Sequence, residues 1–423
     1  MELKIYIEIE GQQVYVGTIS GSSSKDASFK YNLDYLANEN SRAISINLPL
    51  KEEYFSPLET KTFFEGLLPE GFTRHTLAGW LRVDENDYIE LLSKLGKECL
   101  GAIKITNDED DIGEAYEALT TNDIYALARE GTSKAADLVI QAHLSLAGAT
   151  GKTGLMLSDG KWYLPKGSAP SSHIIKQSHV RFDSLIVNEQ LCQIAAKQLG
   201  INAAESFVIN LGKGNDNDIL FATKRYDRSF IDSTRLIDGV LRPFRLHQED
   251  FAQAMGIEAK NKYEKFPDEN YLARTFELIR EHSYNPIEDQ IEMWKRVTFC
   301  YLVGNTDCHI KNASLLYSPD LRRVKLAPCY DLVSTTVYGQ AKRAMAFSIN
   351  GKYNISDITK VDLTIAAEAC KLSSKLAIKV LDELADSFEN TLKNVATQLV
   401  DEGLPTATEV CNRILMESPI RNL

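Results

Sequence analysis

Val303-Gly304-Asn305-Thr306-Asp307-Cys308-His309-Ile310-Lys311-Asn312-Ala313-Ser314-Leu315-Leu316 sets an aspartate and an asparagine five positions apart, D-x-x-x-x-N, and then enters an apolar, strand-like run. A further aspartate follows at Asp331, in Leu326-Ala327-Pro328-Cys329-Tyr330-Asp331-Leu332. Asp and Asn are also ordinary turn residues, and a lone motif of this length arises by chance in many proteins. Its meaning therefore depends on what surrounds it.

The surroundings are those of an ordinary globular chain. Its 423 residues suffice for one large core or about two to three smaller ones. No apolar run reaches the roughly 18 residues of a membrane span, so no membrane span is expected, and no membrane partner is assigned. The start, Met1-Glu2-Leu3-Lys4-Ile5-Tyr6, alternates like a strand and lacks the basic, then apolar, make-up of a signal peptide. Cys99, Cys192, Cys300, Cys308, Cys329, Cys370 and Cys411 are scattered, odd in number and contain no C-x-x-C. That usage argues against a disulfide framework or zinc site and for a reducing cytoplasm. A net charge of −12 argues against non-specific DNA binding by the whole surface. It leaves room for a local basic patch or a basic protein partner.

Outward from the motif, the pattern predicts a β-rich start and a helical end. Leu3, Ile5, Ile7 and Ile9 alternate, turn at Gly11-Gln12, and continue at Val14 and Val16 as a hairpin. Ala43-Ile44-Ser45-Ile46-Asn47-Leu48 reads as a strand. Leu58, Phe63, Phe64, Leu67 and Leu68, then Tyr88, Leu91, Leu92 and Leu95, follow a helical period. Gly101 to Ile105 is a strand, and the acidic run Asn107 to Asp111 is an exposed connection. From about 137 to 228 strands dominate around one helix. Asp159-Gly160 is a two-residue hairpin turn, and Leu185 to Leu199 is a helix stopped by Gly200. From about 246 onward the chain is mainly helical, with a strand-like piece at 344–349.

Protein kinases use the opening motif's grammar: one Asp orients the attacking hydroxyl, while an Asn and an Asp hold Mg²⁺ against the ATP phosphates. Three more pieces occur in matching order. The loop Ser145-Leu146-Ala147-Gly148-Ala149-Thr150-Gly151-Lys152-Thr153-Gly154 lies between strands, and its glycines allow close backbone approach to phosphates. Taken alone it is equally a hairpin tip. It is no P-loop, because Leu146 stands where G-x-x-x-x-G-K-[ST] needs glycine and no helix follows. Lys176 ends an apolar strand and suits a grip on the α/β-phosphates. Glu189, on the next helix, suits a carboxylate that fixes that lysine. Each alone is an ordinary surface charge. Lys224-Arg225-Tyr226-Asp227-Arg228 then occupies the hinge position, where backbone groups hold adenine, or is simply a charged linker.

Together the residues resemble the HipA-like serine/threonine kinases, the toxins of bacterial toxin–antitoxin pairs. The likeness runs nearly end to end. It includes Phe63-Phe64-Glu65-Gly66-Leu67-Leu68-Pro69-Glu70-Gly71, the Gly-rich loop from Leu144 to Thr153, and Ser172-His173-Ile174-Ile175-Lys176. It continues through Asn188-Glu189, Lys224 to Arg228, His247-Gln248-Glu249-Asp250 and Gly304 to Asn312. The resemblance implies an α+β, bilobal protein-kinase-like fold with a β-rich N-terminal subdomain and an all-α C-terminal lobe. The expected division is an N-terminal subdomain at 1–106, a kinase N-lobe at 107–228 and a helical C-lobe at 229–423.

It also implies roles. Asp307 would orient the substrate hydroxyl, and Asn312 and Asp331 would ligate Mg²⁺. Ala147, Gly148, Ala149, Thr150, Gly151, Lys152, Thr153 and Lys176 would hold ATP phosphates, with Glu189 behind Lys176. Lys224, Tyr226 and Asp227 would serve the adenine region, and Ser145 would be an inactivating autophosphorylation site. The expected partners are a HipB-like DNA-binding antitoxin, operator DNA through that antitoxin, and a protein substrate for which glutamate-tRNA ligase is the model. Departures from ordinary kinases stand out. His309 occupies the usual lysine position while Lys311 lies two further on, and either suits the γ-phosphate. Asp331 stands in Tyr-Asp-Leu with no A-P-E after it, which argues against activation-loop control. Cys308 replaces a glycine common in the family, and Lys224 stands where some relatives carry an acid. Two other readings share the apparatus: an idle kinase-fold corepressor, and a small-molecule kinase. The intact Lys176, Asp307, Asn312 and Asp331 speak against the first, and the N-terminal signature speaks against the second.

Overall fold

The computed structural model describes residues 2–107, 113–142, 145–146, 151–179, 181–339 and 342–423. Two compact units emerge. One comprises 1–177, 222–259 and 315–324; the other comprises 178–221, 260–314 and 325–423. Each is discontinuous in sequence, whereas the sequence reading divides the chain into three contiguous segments.

The first unit begins with a sheet in the order Ser28–Tyr31, Gln12–Ser20, Glu2–Ile9, Ile103–Thr106. Its first hairpin pairs Ile9 with Gln12, so the turn is Glu10-Gly11, one residue earlier than the sequence suggests. Both turn residues have positive φ (48° and 77°), the backbone that favours glycine. The alternation has the expected cause: Leu3, Ile5 and Ile7 are buried with Val16, Ile19, Phe29 and Tyr31. Two helices, Pro57–Glu65 and Tyr88–Leu95, supply Phe63, Phe64, Leu91, Leu92 and Leu95 to this core. Each such side chain contributes roughly 1.5–3 kcal/mol by leaving water. The first helix starts at a capping box, Ser56 with Glu59, with proline in the first turn.

Ala43 to Leu48 is not a strand; only an isolated bridge, Ser45 to Leu48, forms there. Its polar groups are used differently. Ser45 Oγ and Ile46 N donate to the carboxylate of buried Glu249 (2.6 and 3.0 Å), and Tyr317 Oη donates to it as well.

The same unit carries an antiparallel run of Glu114–Ala118, Lys161–Gly167, Lys152–Ser158 and His173–Gln177, in that spatial order. Asp159 and Gly160 turn the central hairpin with φ of 49° and 73°, as a two-residue turn requires. Two helices here, Thr121–Glu130 and Thr132–Gln141, lie outside what the sequence reading anticipated. The first begins at a capping box, Thr120 with Asp123, and the pair is broken by Gly131 at φ 59°.

The second unit is mainly helical: Leu185–Gln198, Tyr271–His282, Pro286–Val303, Lys360–Ala369, Ser374–Asp401 and Ala407–Glu417. Leu381, Leu384, Phe388, Leu392, Val395 and Leu399 form the buried stripe of the longest helix. It packs against Pro286–Val303, where Phe388 meets Phe299 and the Ala377 carbonyl accepts from Trp294 Nε1 (3.2 Å). A small hairpin, Ala344–Ile349 with Lys352–Asn354, falls where the strand-like piece was expected. Among the described residues no helix is long and apolar enough to cross a membrane.

Candidate active site

In the second unit the motif sits where the helix Pro286–Val303 ends. Gly304, at φ 71°, caps the helix in the left-handed conformation, its N–H returning to Cys300 and Tyr301 carbonyls. A Cβ at Gly304 would lie 2.1 Å from Thr336 Oγ1, so glycine is required both for φ and for close approach. The Gly304 carbonyl in turn accepts from Thr335 N, Thr336 N and Thr335 Oγ1 (3.0, 3.1 and 2.9 Å). Thr306 bonds Thr335 Oγ1 through its N–H (2.8 Å) and its hydroxyl (2.7 Å). The loop carrying Asp307 is thus sewn to the stretch after Asp331.

The five-residue spacing also has a local reason. Asn305 Oδ1 accepts from Asp307 N (3.0 Å), and the Asp307 carbonyl accepts from both His309 N (2.8 Å) and Asn312 Nδ2 (2.9 Å). Asn312 is thereby folded back beside Asp307. The Asp307 carboxylate accepts a hydrogen bond from Tyr263 Oη. The Tyr263 ring stands edge-on to the His309 imidazole, centroids 5.1 Å apart. No sequence signal singles out Tyr263, which lies far upstream in an irregular stretch. His309 and Lys311 are both buried, and the Lys311 carbonyl accepts from Tyr330 Oη (3.0 Å).

Asp331 is half-buried at φ 59°, a conformation that costs a non-glycine residue energy and persists only where the surroundings impose it. The helix Leu185–Gln198 imposes it from both sides. Gln193 Nε2 donates to the Cys329 carbonyl (3.1 Å). Asn188 clamps Ser334, donating from Nδ2 to its carbonyl (2.9 Å) and accepting its N–H at Oδ1 (3.0 Å). The sequence reading quoted Asn188 only as part of the family likeness and did not single out Gln193. Glu189 is buried on the same helix.

The first unit holds the expected phosphate residues. Lys152 and Lys176 are direct cross-strand partners. Thr153 is buried beside Lys152, while Ala147, Gly148, Ala149 and Thr150 lie outside the described residues. Ser145 is fully buried: its N–H donates to the Glu98 carbonyl (2.8 Å) and its hydroxyl to the Leu67 carbonyl (2.8 Å). Lys176 belongs to the first unit and Glu189 to the second.

The Lys224 to Arg228 stretch divides by side chain. Lys224 is exposed, and Tyr226 Oη donates to Gln248 Oε1. Asp227 is buried, paired with Arg225 (2.8 Å) and Arg228 (3.1 Å), and accepts from Gly101 N (2.7 Å). Arg225, Arg228 and Arg245 converge on Glu98 at 2.9, 3.0 and 2.7 Å. Burial alone would raise the Glu98 pKa, but the guanidiniums of Arg228, Arg245 and Arg225 bring it down to about 2. Among the described residues no cation pairs with Glu249, and burial pushes it up to about 7.

Comparisons with known proteins agree in extent. The model of the HipA N-terminal domain matches residues 7–106, and that of the HipA-like C-terminal domain matches residues 144–392. A Sinorhizobium fredii protein named "Putative kinase Y4mE" is 31% identical, with 93% of this chain and 92% of that one aligned. The Shewanella oneidensis serine/threonine-protein kinase toxin HipA is 25% identical over 80% of this chain and 77% of its own. A structure of the Shewanella oneidensis HipA, HipB and operator DNA complex superposes with a TM-score of 0.79, at 21% identity, covering 98% of this chain and 96% of that one. That likeness shows the mixed α/β, kinase-like fold. With both family domains matched in order along most of its length, the chain belongs to the HipA-like family.

Proposed function

We propose that the protein is an ATP- and Mg²⁺-dependent serine/threonine kinase, the toxin of a bacterial toxin–antitoxin pair. The observation that carries the reading is the second unit's loop, which folds Asn312 back onto Asp307 and is tied to the left-handed stretch at Asp331. The named kinases among its relatives support it.

In this mechanism Asp307 accepts the hydrogen bond of the substrate hydroxyl and aims its oxygen at the γ-phosphate. Tyr263 holds the Asp307 carboxylate until the hydroxyl arrives. The donors offered by Asn312 and Asp331 are oxygens, as a hard cation requires, and Mg²⁺ bound there would neutralise charge on the transferring phosphoryl group. Lys152 and Lys176 are the proposed ligands of phosphate oxygens, and Glu189 is the proposed partner of Lys176. Lys311 or His309 meets the γ-phosphate. Tyr226 serves the adenine region with Lys224. Asp227 acts there through the buried arginines that fix the stretch.

Ser145 is the proposed inactivating phosphosite. A phosphate there adds about −2 charge at a hydroxyl that is now enclosed, so the segment must leave the Leu67 carbonyl to be modified and cannot return afterwards. The remainder of the proposal rests on likeness: a cytoplasmic location, a HipB-like antitoxin that brings the pair to operator DNA, and an aminoacyl-tRNA synthetase such as glutamate-tRNA ligase as target. The alternative is an idle kinase-fold corepressor.

The test is incubation with Mg²⁺ and labelled ATP beside Asp307→Ala and Ser145→Ala, with phosphosite mapping. Label on Ser145 in the wild type alone supports a self-inactivating kinase. Absence of both label and ATP binding, in protein unphosphorylated at the start, favours the corepressor.

A further inference from the structure

One tyrosine hydroxyl lies where the proposed chemistry needs an acceptor hydroxyl. Tyr263 is exposed, yet its Oη donates a hydrogen bond to Asp307 Oδ1. Its ring stands edge-on to His309, centroids 5.1 Å apart. Lys262 Nζ lies 5.6 Å from the centroid of the same ring. A single side chain thus touches the carboxylate proposed to orient the acceptor and one of the two residues proposed to meet the γ-phosphate.

Neighbouring residues fix the backbone around Tyr263. Glu264 is buried, and its carboxylate accepts from Tyr271 N (2.8 Å), Ser348 N (2.9 Å) and Tyr353 Oη (2.9 Å). Its own N–H donates to the Ala346 carbonyl (2.9 Å). On the other side of Tyr263, the Asn261 carbonyl accepts from Tyr271 Oη (2.8 Å). The segment is therefore pinned to the helix Tyr271–His282 and to the hairpin Ala344–Ile349 with Lys352–Asn354. A buried carboxylate that accepts three hydrogen bonds is costly to dislodge. The anchor lies in Glu264 and Tyr271, and it presents the phenol to Asp307.

We propose that Tyr263 is an internal phospho-acceptor, phosphorylated within its own chain at the site that Asp307 serves. The proposal rests on the kinase reading and extends it from an aliphatic hydroxyl to a phenol. A group that takes a proton in phosphoryl transfer must lie within hydrogen-bond reach of the hydroxyl it acts on, and Asp307 meets that requirement toward Tyr263 Oη. The phenol oxygen attacks the γ-phosphorus of ATP and a new O–P bond forms. The bond from the γ-phosphorus to the β–γ bridging oxygen breaks, and ADP leaves with that electron pair. The phenolic proton passes to the Asp307 carboxylate and then to water. The product carries about −2 charge and has no hydroxyl hydrogen left to donate, so it parts from Asp307. Lys262, already near the ring, supplies a cation for it.

The test starts from the phosphatase-treated full chain and its Ser145→Ala variant, which keeps the proposed inactivation from masking a slower site. Each is incubated with Mg²⁺ and labelled ATP at low and at high protein concentration, and phosphosites are mapped by mass spectrometry. The expected result is phosphotyrosine at position 263, formed at a rate independent of protein concentration. Asp307→Asn lowers that rate by about a thousandfold. Tyr263→Phe, which removes only a hydroxyl, loses the phosphopeptide while its melting temperature stays near the wild type's. Label on Ser145 or another residue with none on Tyr263 overturns the inference and keeps the kinase reading. Labelling of Tyr263 that rises with protein concentration, or that persists in Asp307→Asn, also overturns it, because a second copy or another base then does the work. No label on any residue removes the kinase reading and the inference with it.

Discussion

The stretches Lys224 to Arg228 and Asp307 to Asn312 are both short, charged and part of the proposed site, yet they spend their charges in opposite ways. In the first, Arg225, Asp227 and Arg228 are buried and satisfied by one another, by Glu98 and by the Gly101 N–H. In the second, hydrogen bonds to the backbone made by Asn305, His309 and Asn312 shape the turn, and the Asp307 carboxylate accepts from the Tyr263 hydroxyl. A buried charge with several partners is part of the scaffold, because removing one partner strands the rest. A carboxylate whose surroundings fix its backbone is arranged to exchange partners.

That contrast predicts separable effects. Asp307→Asn should lower phosphotransfer by about a thousandfold, the scale of a positioned base, with a melting temperature close to the wild type's. A large fall in melting temperature would place Asp307 in the scaffold and erase the distinction. Glu98→Gln should do the reverse, costing about 3–5 kcal/mol of stability by removing the anion that three buried guanidiniums share, of which Arg225 and Arg228 keep only Asp227. Chemical denaturation measures this, and an unchanged midpoint would break the comparison from the other side.

Glu249 sharpens it within the first unit, as a buried carboxylate with which no cation pairs among the described residues. Its folded pKa lies near 7 against an ordinary 4.5, so folding favours its protonated form. Below about pH 4.5 it is neutral in both states and adds no penalty. As pH rises toward 7 the unfolded form ionises first and stability falls; above 7 the loss is complete. Glu249→Gln should therefore gain about 1–3 kcal/mol over wild type at pH 8, and nothing at pH 4. A pH-independent difference in denaturation midpoint would sink this account. The smallest effect belongs to Tyr263→Phe. Losing one hydrogen bond to Asp307 should change phosphotransfer only several-fold, about 1 kcal/mol, with unchanged melting. A loss as large as that of Asp307→Asn would make Tyr263 part of the chemistry.

Local patterns written within a few residues were legible. The first hairpin, the Asp159-Gly160 turn, the helix ended by Gly200 and the buried stripes all follow from side-chain period and turn chemistry, which act at short range. The spacing of Asp307 and Asn312 belongs with them, because Asn312 Nδ2 closes on the Asp307 carbonyl within one turn. Ala43 to Leu48 misled, since its alternation matches a strand while its polar groups serve Glu249, some two hundred residues away. Tyr263 and Gln193 were invisible for the same reason.

The sequence by itself determined the family and the order of its motifs along the chain. Only the tertiary structure decided that Asp227 is locked among arginines, that Ser145 is enclosed, that Lys152 faces Lys176, and that Asn305 returns to Cys300. Each of these depends on partners distant in sequence or on a chain reversal, and burial and charge compensation are properties of surroundings that one-dimensional spacing does not encode.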